Sequence, residues 1–64
     1  MRNPIRIYPL CNKLAEYWSR YPDLRFGQLM YNFMKWIEIH KSIDPFYIED
    51  DMILEFLEEY FREK

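Results

Sequence analysis

Glycine, cysteine and histidine each occur once in the 64 residues, as Gly27, Cys11 and His40, and each scarcity removes a class of chemistry. One glycine cannot build a glycine-rich phosphate loop. One cysteine leaves no internal disulfide and agrees with a reducing compartment. A metal cage around a single histidine would need several carboxylates drawn close to it, and no zinc-type ligand spacing occurs. The segment Met1 to Arg6 holds no apolar run of signal-peptide length, and nothing approaches the roughly 20 consecutive apolar residues of a membrane span. The expectation is a soluble cytoplasmic protein. Internal repeats and low-complexity segments are lacking too.

What the chain has in quantity is apolar and aromatic side chains. Half of the residues are hydrophobic and 20% are aromatic, with two Trp, five Phe and six Tyr. Disorder is excluded by that composition. A chain this short has room for one domain, residues 1–64, and one small core, where burial only narrowly exceeds chain entropy. Dense packing or self-association must supply the remaining stability. The formal net charge of −2 conceals an asymmetry: residues 1–48 hold seven Lys/Arg against four Asp/Glu, whereas residues 49–64 hold two against seven. An acidic tail of this kind either docks on the basic first part of its own chain or faces a basic partner.

Apolar periodicity predicts three short helices. Leu10, Leu14, Tyr17, Trp18 and Tyr21 fall on one side of a helix over about 8–20, opposite Asn12, Lys13, Glu16, Ser19 and Arg20. Two prolines compete for its start. Asn3-Pro4 forms a good cap and first-position pair, but a helix from there would carry Pro9 inside, at a cost of about 3 kcal/mol. Regular helix is therefore expected from near Tyr8, with Ile5 and Ile7 leading in against the core. Glu16 and Arg20, four apart, add an ion pair. Pro22 stops this helix, and Asp23 is expected to cap the next, over about 23–39. Phe26, Leu29, Met30, Phe33 and Ile37 form its apolar face, widened by Leu24, Tyr31 and Met34, so the second helix is expected to be central. Gly27 lies on the same flank and points to a close neighbour, the first helix in preference to a ligand. After Glu38 the phase breaks, because Ile39 would enter the polar stripe and Lys41 the buried flank. The alternation from Trp36 to His40 would also suit a short strand, but one without a partner. Asp44-Pro45 begins a turn, and Asp50 is expected to cap a third helix over about 50–62. Its apolar side is Met52, Ile53, Phe56, Leu57, Tyr60 and Phe61. Asp50 and Asp51 suit its start, and Arg62 and Lys64 its end. The pairs Asp51/Glu55, Glu55/Glu59 and Glu59/Glu63 repel, so this face gains from a cationic neighbour, either the basic first part of the chain or another protein.

Two strings, Pro22-Asp23-Leu24-Arg25-Phe26-Gly27-Gln28-Leu29 and Asp44-Pro45-Phe46-Tyr47-Ile48-Glu49-Asp50-Asp51, with Trp18 upstream, punctuate these helices. In this the chain resembles a group of short, functionally uncharacterised bacterial and phage proteins carrying P-D-L-R-x-G-Q-L followed by D-P-F-Y-x-E-D. The resemblance covers roughly residues 6–58, with Lys35 to Ile43 longer than is usual in the group. It implies a small, helical, cytoplasmic protein and transfers no activity, cofactor or partner. Asp23, Gly27, Asp44, Tyr47 and Asp50 are its structural positions.

Catalysis is not expected. Cys11 at the margin of the first helix reads as a small buried thiol, and His40 with Glu38 and Asp44 straddles a helix end. Glu49, Asp50 and Asp51 could collect a divalent cation with Asp44, but a helix cap and first-turn charges already account for two of the three. No cofactor or small-molecule substrate is expected. Arg25, Gln28, Asn32 and Lys35 instead form one polar stripe of planar and cationic side chains. Two roles fit Arg25: a clamp on the Asp44 to Asp51 loop, or one end of a recognition stripe for phosphate, nucleic acid or an acidic partner. Glu55, Glu58 and Glu59 offer a second, acidic surface. The reading is an all-α, non-catalytic interaction module, an adaptor or inhibitor from a bacterium or phage, whose partner is another protein or itself as a homodimer. Tyr8, Tyr31, Tyr47, Trp36 and Phe61 stand at the edge of the expected dimer patch. The alternative is a helix-turn-helix-like nucleic-acid module using the stripe, against which the acidic third helix argues.

Overall fold

The two proline-bearing corners leave the backbone little choice but helix between them. The computed structural model describes residues 2–63 and shows three α-helices, α1 (Ile7–Trp18), α2 (Phe26–Lys41) and α3 (Asp50–Arg62), with 3-10 turns at Pro4–Arg6 and Pro45–Tyr47. No strand occurs among the described residues, so Trp36 to His40 is helix. Lys64 lies outside the described residues.

The competition between the prolines ends with both in use. Asn3 caps the first 3-10 turn, its side-chain oxygen accepting from the Ile5 N–H, and Pro4 takes the first turn position. Pro9 falls at the third residue of α1, so the helix starts one residue earlier than expected. The lead-in does not enter the core: Ile5 is 67% exposed and Ile7 44%.

The first corner is a β-turn rather than a helix cap. The Leu24 N–H donates to the Tyr21 carbonyl at 3.1 Å, placing Pro22 and Asp23 at its two central positions. Asp23 therefore does not cap α2. Arg25 stands at the cap with extended backbone, and the Gln28 carboxamide oxygen reaches back to accept from the Arg25 N–H at 2.9 Å. An arginine side chain offers no acceptor, so this is only the reciprocal half of a capping box. The Trp18 indole N–H closes the corner by donating to the Leu24 carbonyl at 2.7 Å. Gly27 has nothing within 4 Å of where a Cβ would stand. It marks no close approach of α1.

At the second corner, the Asp44 side chain accepts from the Phe46 N–H at 3.0 Å, with Pro45 at the first position of the 3-10 turn. Glu49, not Asp50, occupies the cap of α3, and its side chain makes no cap hydrogen bond. Asp50 and Asp51 lie in the first turn and Arg62 in the last, as the helix dipole favours.

The core consists of Leu29, Phe33 and Ile37 from α2 with Leu57, Tyr60 and Phe61 from α3. α1 runs beside α3 in the same direction, since Arg6 meets Asp50 at one end while Tyr17 stacks on Phe61 at the other. α2 crosses the second half of α3, with Phe33 and Trp36 against Tyr60 and Lys41 against Phe56. The expected centrality of the second helix is thus divided. α2 supplies the most deeply buried residues, Leu29 and Ile37 at 0% exposure, whereas α3 is the element that packs extensively on both others.

Candidate interaction surface

Four surfaces hold the residues with functional potential. The polar stripe on α2 is exposed along its length at Arg25, Gln28, Asn32 and Lys35. Its members differ in commitment. Gln28 spends its carboxamide oxygen on the helix start, and Lys35 pairs with Glu38 at 3.4 Å and lies over the Tyr31 ring. The side chains of Arg25 and Asn32 have no hydrogen bond or ion pair among the described residues. Arg25 consequently does not clamp the Asp44 to Asp51 loop.

That loop is held by other arginines. Arg2 grips both carboxylate oxygens of Glu49, at 2.6 and 2.9 Å, and Arg6 Nε donates to Asp50 Oδ2 at 2.5 Å. Its hydrogen bonds to the Glu49 carboxylate, and the charge of that carboxylate, raise the guanidinium pKa of Arg2 further above its already high ordinary value. Nothing in the P-D-L-R or D-P-F-Y strings announced this clamp. The signal available was the basic excess at the start of the chain beside an acidic α3 start.

The acidic face of α3 is partly used inside the molecule. Lys41 Nζ bridges both carboxylate oxygens of Glu59, at 2.8 and 3.0 Å, and sits over the rings of Trp36 and Phe56. This is why α2 continues to Lys41, past the expected end. The side chain whose place in the buried flank predicted a break finds a carboxylate and two aromatic faces there, while Ile39 stays 71% exposed. Glu63 accepts from the Trp36 indole at 3.3 Å. Two members of the repelling ladder are thereby relieved. Glu58 lines an open cleft with Glu16, Tyr17, Arg20, Phe61 and Arg62. Glu55 is exposed with no ion pair among the described residues.

The expected dimer edge separates into different environments. Tyr8, Tyr31 and Tyr47 are 66%, 64% and 76% exposed. Trp36 is half-buried against Phe33, Tyr60 and His40. Phe61 is core at 6% exposure, held between Tyr17, Tyr21 and Tyr60, and cannot form an edge.

The remaining surface is the end of the molecule where α1 and α3 begin. Of eleven large apolar side chains that stand exposed among the described residues, six belong to two segments here: Ile5, Ile7 and Tyr8 on one side, Phe46, Tyr47 and Met52 on the other. The arginine clamp ties these segments together. The crossing contacts of α2 fall on the opposite half of α3, and although α2 also touches the Pro45–Tyr47 turn, the side chains of Phe46 and Tyr47 have little cover among the described residues. Phe46 and Tyr47 meet edge to face with ring centroids 5.0 Å apart.

Cys11 does not fill the core margin expected of it and is exposed. His40 lies in the last turn of α2 with its ring on Trp36. Among the described residues no group of three or more His, Cys, Asp and Glu is placed to hold a metal ion. No helix among them is long and apolar enough to cross a membrane.

The structure defines a small three-helix, all-α protein with an uncovered apolar end. Compared with known proteins, the chain matches no family model, no curated protein and no solved structure.

Proposed function

We propose that the chain is a non-catalytic protein-interaction module, a cytoplasmic adaptor or inhibitor of bacterial or phage origin, that works by docking its uncovered end on another polypeptide. The observation that carries this reading is the concentration of six exposed large apolar residues in two segments held together by Arg2–Glu49 and Arg6–Asp50. Large apolar patches with charged borders are what protein interfaces are made of. A photo-crosslinking residue at Tyr47, with one at Ile39 on the outer face of α2 as control, tests it in a bacterial lysate. Discrete adducts at position 47 and not at 39 are expected. Equal labelling at both positions, or none at either, would refute the docking end.

The second reading is nucleic-acid binding through the stripe, favoured by the exposed Arg25 guanidinium, which has no partner among the described residues. Lys35 is already paired with Glu38, and the acidic α3 repels phosphate. Fluorescence anisotropy with duplex DNA at low salt separates the two. No binding is expected, and binding that falls steeply with added salt and with Arg25→Ala would favour the stripe.

A further inference from the structure

The docking end carries both signs of charge. Arg2 and Arg6 of the N-terminal arm pair with Glu49 and Asp50 at the start of α3, and these pairs tie the two apolar segments together. A partner of one dominant charge would be attracted to one member of each pair and repelled by the other. In a two-fold contact, by contrast, residue i of one molecule meets j of the next and j meets i, so paired cations and anions can exchange partners across the axis. The Arg2–Glu49 pair has side chains 60% and 64% exposed. It can therefore turn to the equivalent groups of a second molecule with little loss.

Surface area points the same way. The protein exposes 5010 Å², whereas a monomer of 8.2 kDa with ordinary compactness exposes about 4,500 Å². The Cα radius of gyration of 11.8 Å likewise exceeds the roughly 10.7 Å expected for this length. The excess, roughly 500 Å² over the whole molecule, compares with the ~800 Å² that each partner of a stable interface contributes. Phe46 at 84% and Tyr47 at 76% exposure hold their area outside the fold, and aromatic side chains of this kind are the usual anchors of an interface.

We infer that the uncovered end is a two-fold homodimer interface, in which Phe46 and Tyr47 pack across the axis and Arg2 of each molecule reaches Glu49 of the other. This rests on the reading of that end as a docking surface and names its occupant.

Sedimentation equilibrium on the full chain, from micromolar to millimolar concentration, is the test. The chain should show a reversible monomer–dimer equilibrium, and Phe46→Ser/Tyr47→Ser should weaken it by at least about tenfold while circular dichroism and Tm stay unchanged. Arg2→Glu and Glu49→Arg should each self-associate weakly, and mixing them should restore a dimer because opposite charges then meet at both ends. A chain that stays monomeric throughout, a double variant that associates undiminished, or a mixture that stays monomeric while the parent dimerises would each overturn the inference. Monomeric behaviour with discrete adducts at position 47 to a different protein would remove only the second copy and leave the docking end standing. Monomeric behaviour without such adducts would remove both.

Discussion

Trp18 and Gly27 illustrate how far individual residues could be understood in advance. Trp18 was visible as an apolar position of the first helix, but its indole N–H is what seals the corner by reaching the Leu24 carbonyl, six residues on. A side chain to backbone bond across a turn leaves no periodic trace in a sequence. Trp18→Phe keeps the packing and removes the donor, so it should cost about 1–2 kcal/mol in urea denaturation, the penalty of a carbonyl left unpaired. Gly27 misled in the opposite direction. A lone glycine on an apolar flank reads as a close approach, yet open space surrounds it and its φ is not positive. Gly27→Ala should therefore raise stability by about 0.4–1 kcal/mol, mainly by restricting the unfolded chain. A loss instead would mean that something packs there after all. Arg25 was legible as exposed but not as lacking a partner among the described residues, because ion-pair choice depends on which segments the fold brings together.

Among the elements, helix number and apolar faces were open to sequence reasoning, since a 3.6-residue period and two proline corners specify them. The ends were harder to place. α2 starts later than Asp23 because Pro22-Asp23 is spent on a β-turn, and it ends later than Glu38 because Lys41 gains Glu59, Trp36 and Phe56. Both outcomes are tertiary effects on a local pattern. The helix finally stops at Ser42, which takes a left-handed conformation with φ 56°. An L-residue other than glycine pays for that geometry, so Ser42→Gly should stabilise the protein by about 1 kcal/mol, read as a rise in Tm. Removing the Lys41 side chain should do the reverse. Lys41→Ala is expected to lose about 0.5–1 kcal/mol from the ion pair and its cation–π contacts, and to loosen hydrogen-exchange protection in the last turn of α2.

For the molecule as a whole, the sequence implied too many aromatic residues for one small core, and the structure shows where the surplus lies. Burial concentrates where α2 crosses the second half of α3. The first halves of α1 and α3 share an arginine clamp and little cover. The location of this surplus was not legible, because it depends on the crossing of α2 rather than on any local pattern. Of the residues expected at an interface, Tyr8 and Tyr47 lie on the uncovered end, Tyr31 lies on α2, and Phe61 is interior. Backbone amide NMR spectra recorded from dilute to concentrated solution test the central claim most directly. Concentration-dependent shifts confined to residues 2–8 and 43–52 are the expected result. Shifts that gather instead on Arg25, Asn32 and Lys35 would contradict the docking end, and an absence of any concentration dependence would contradict its occupation by a second copy.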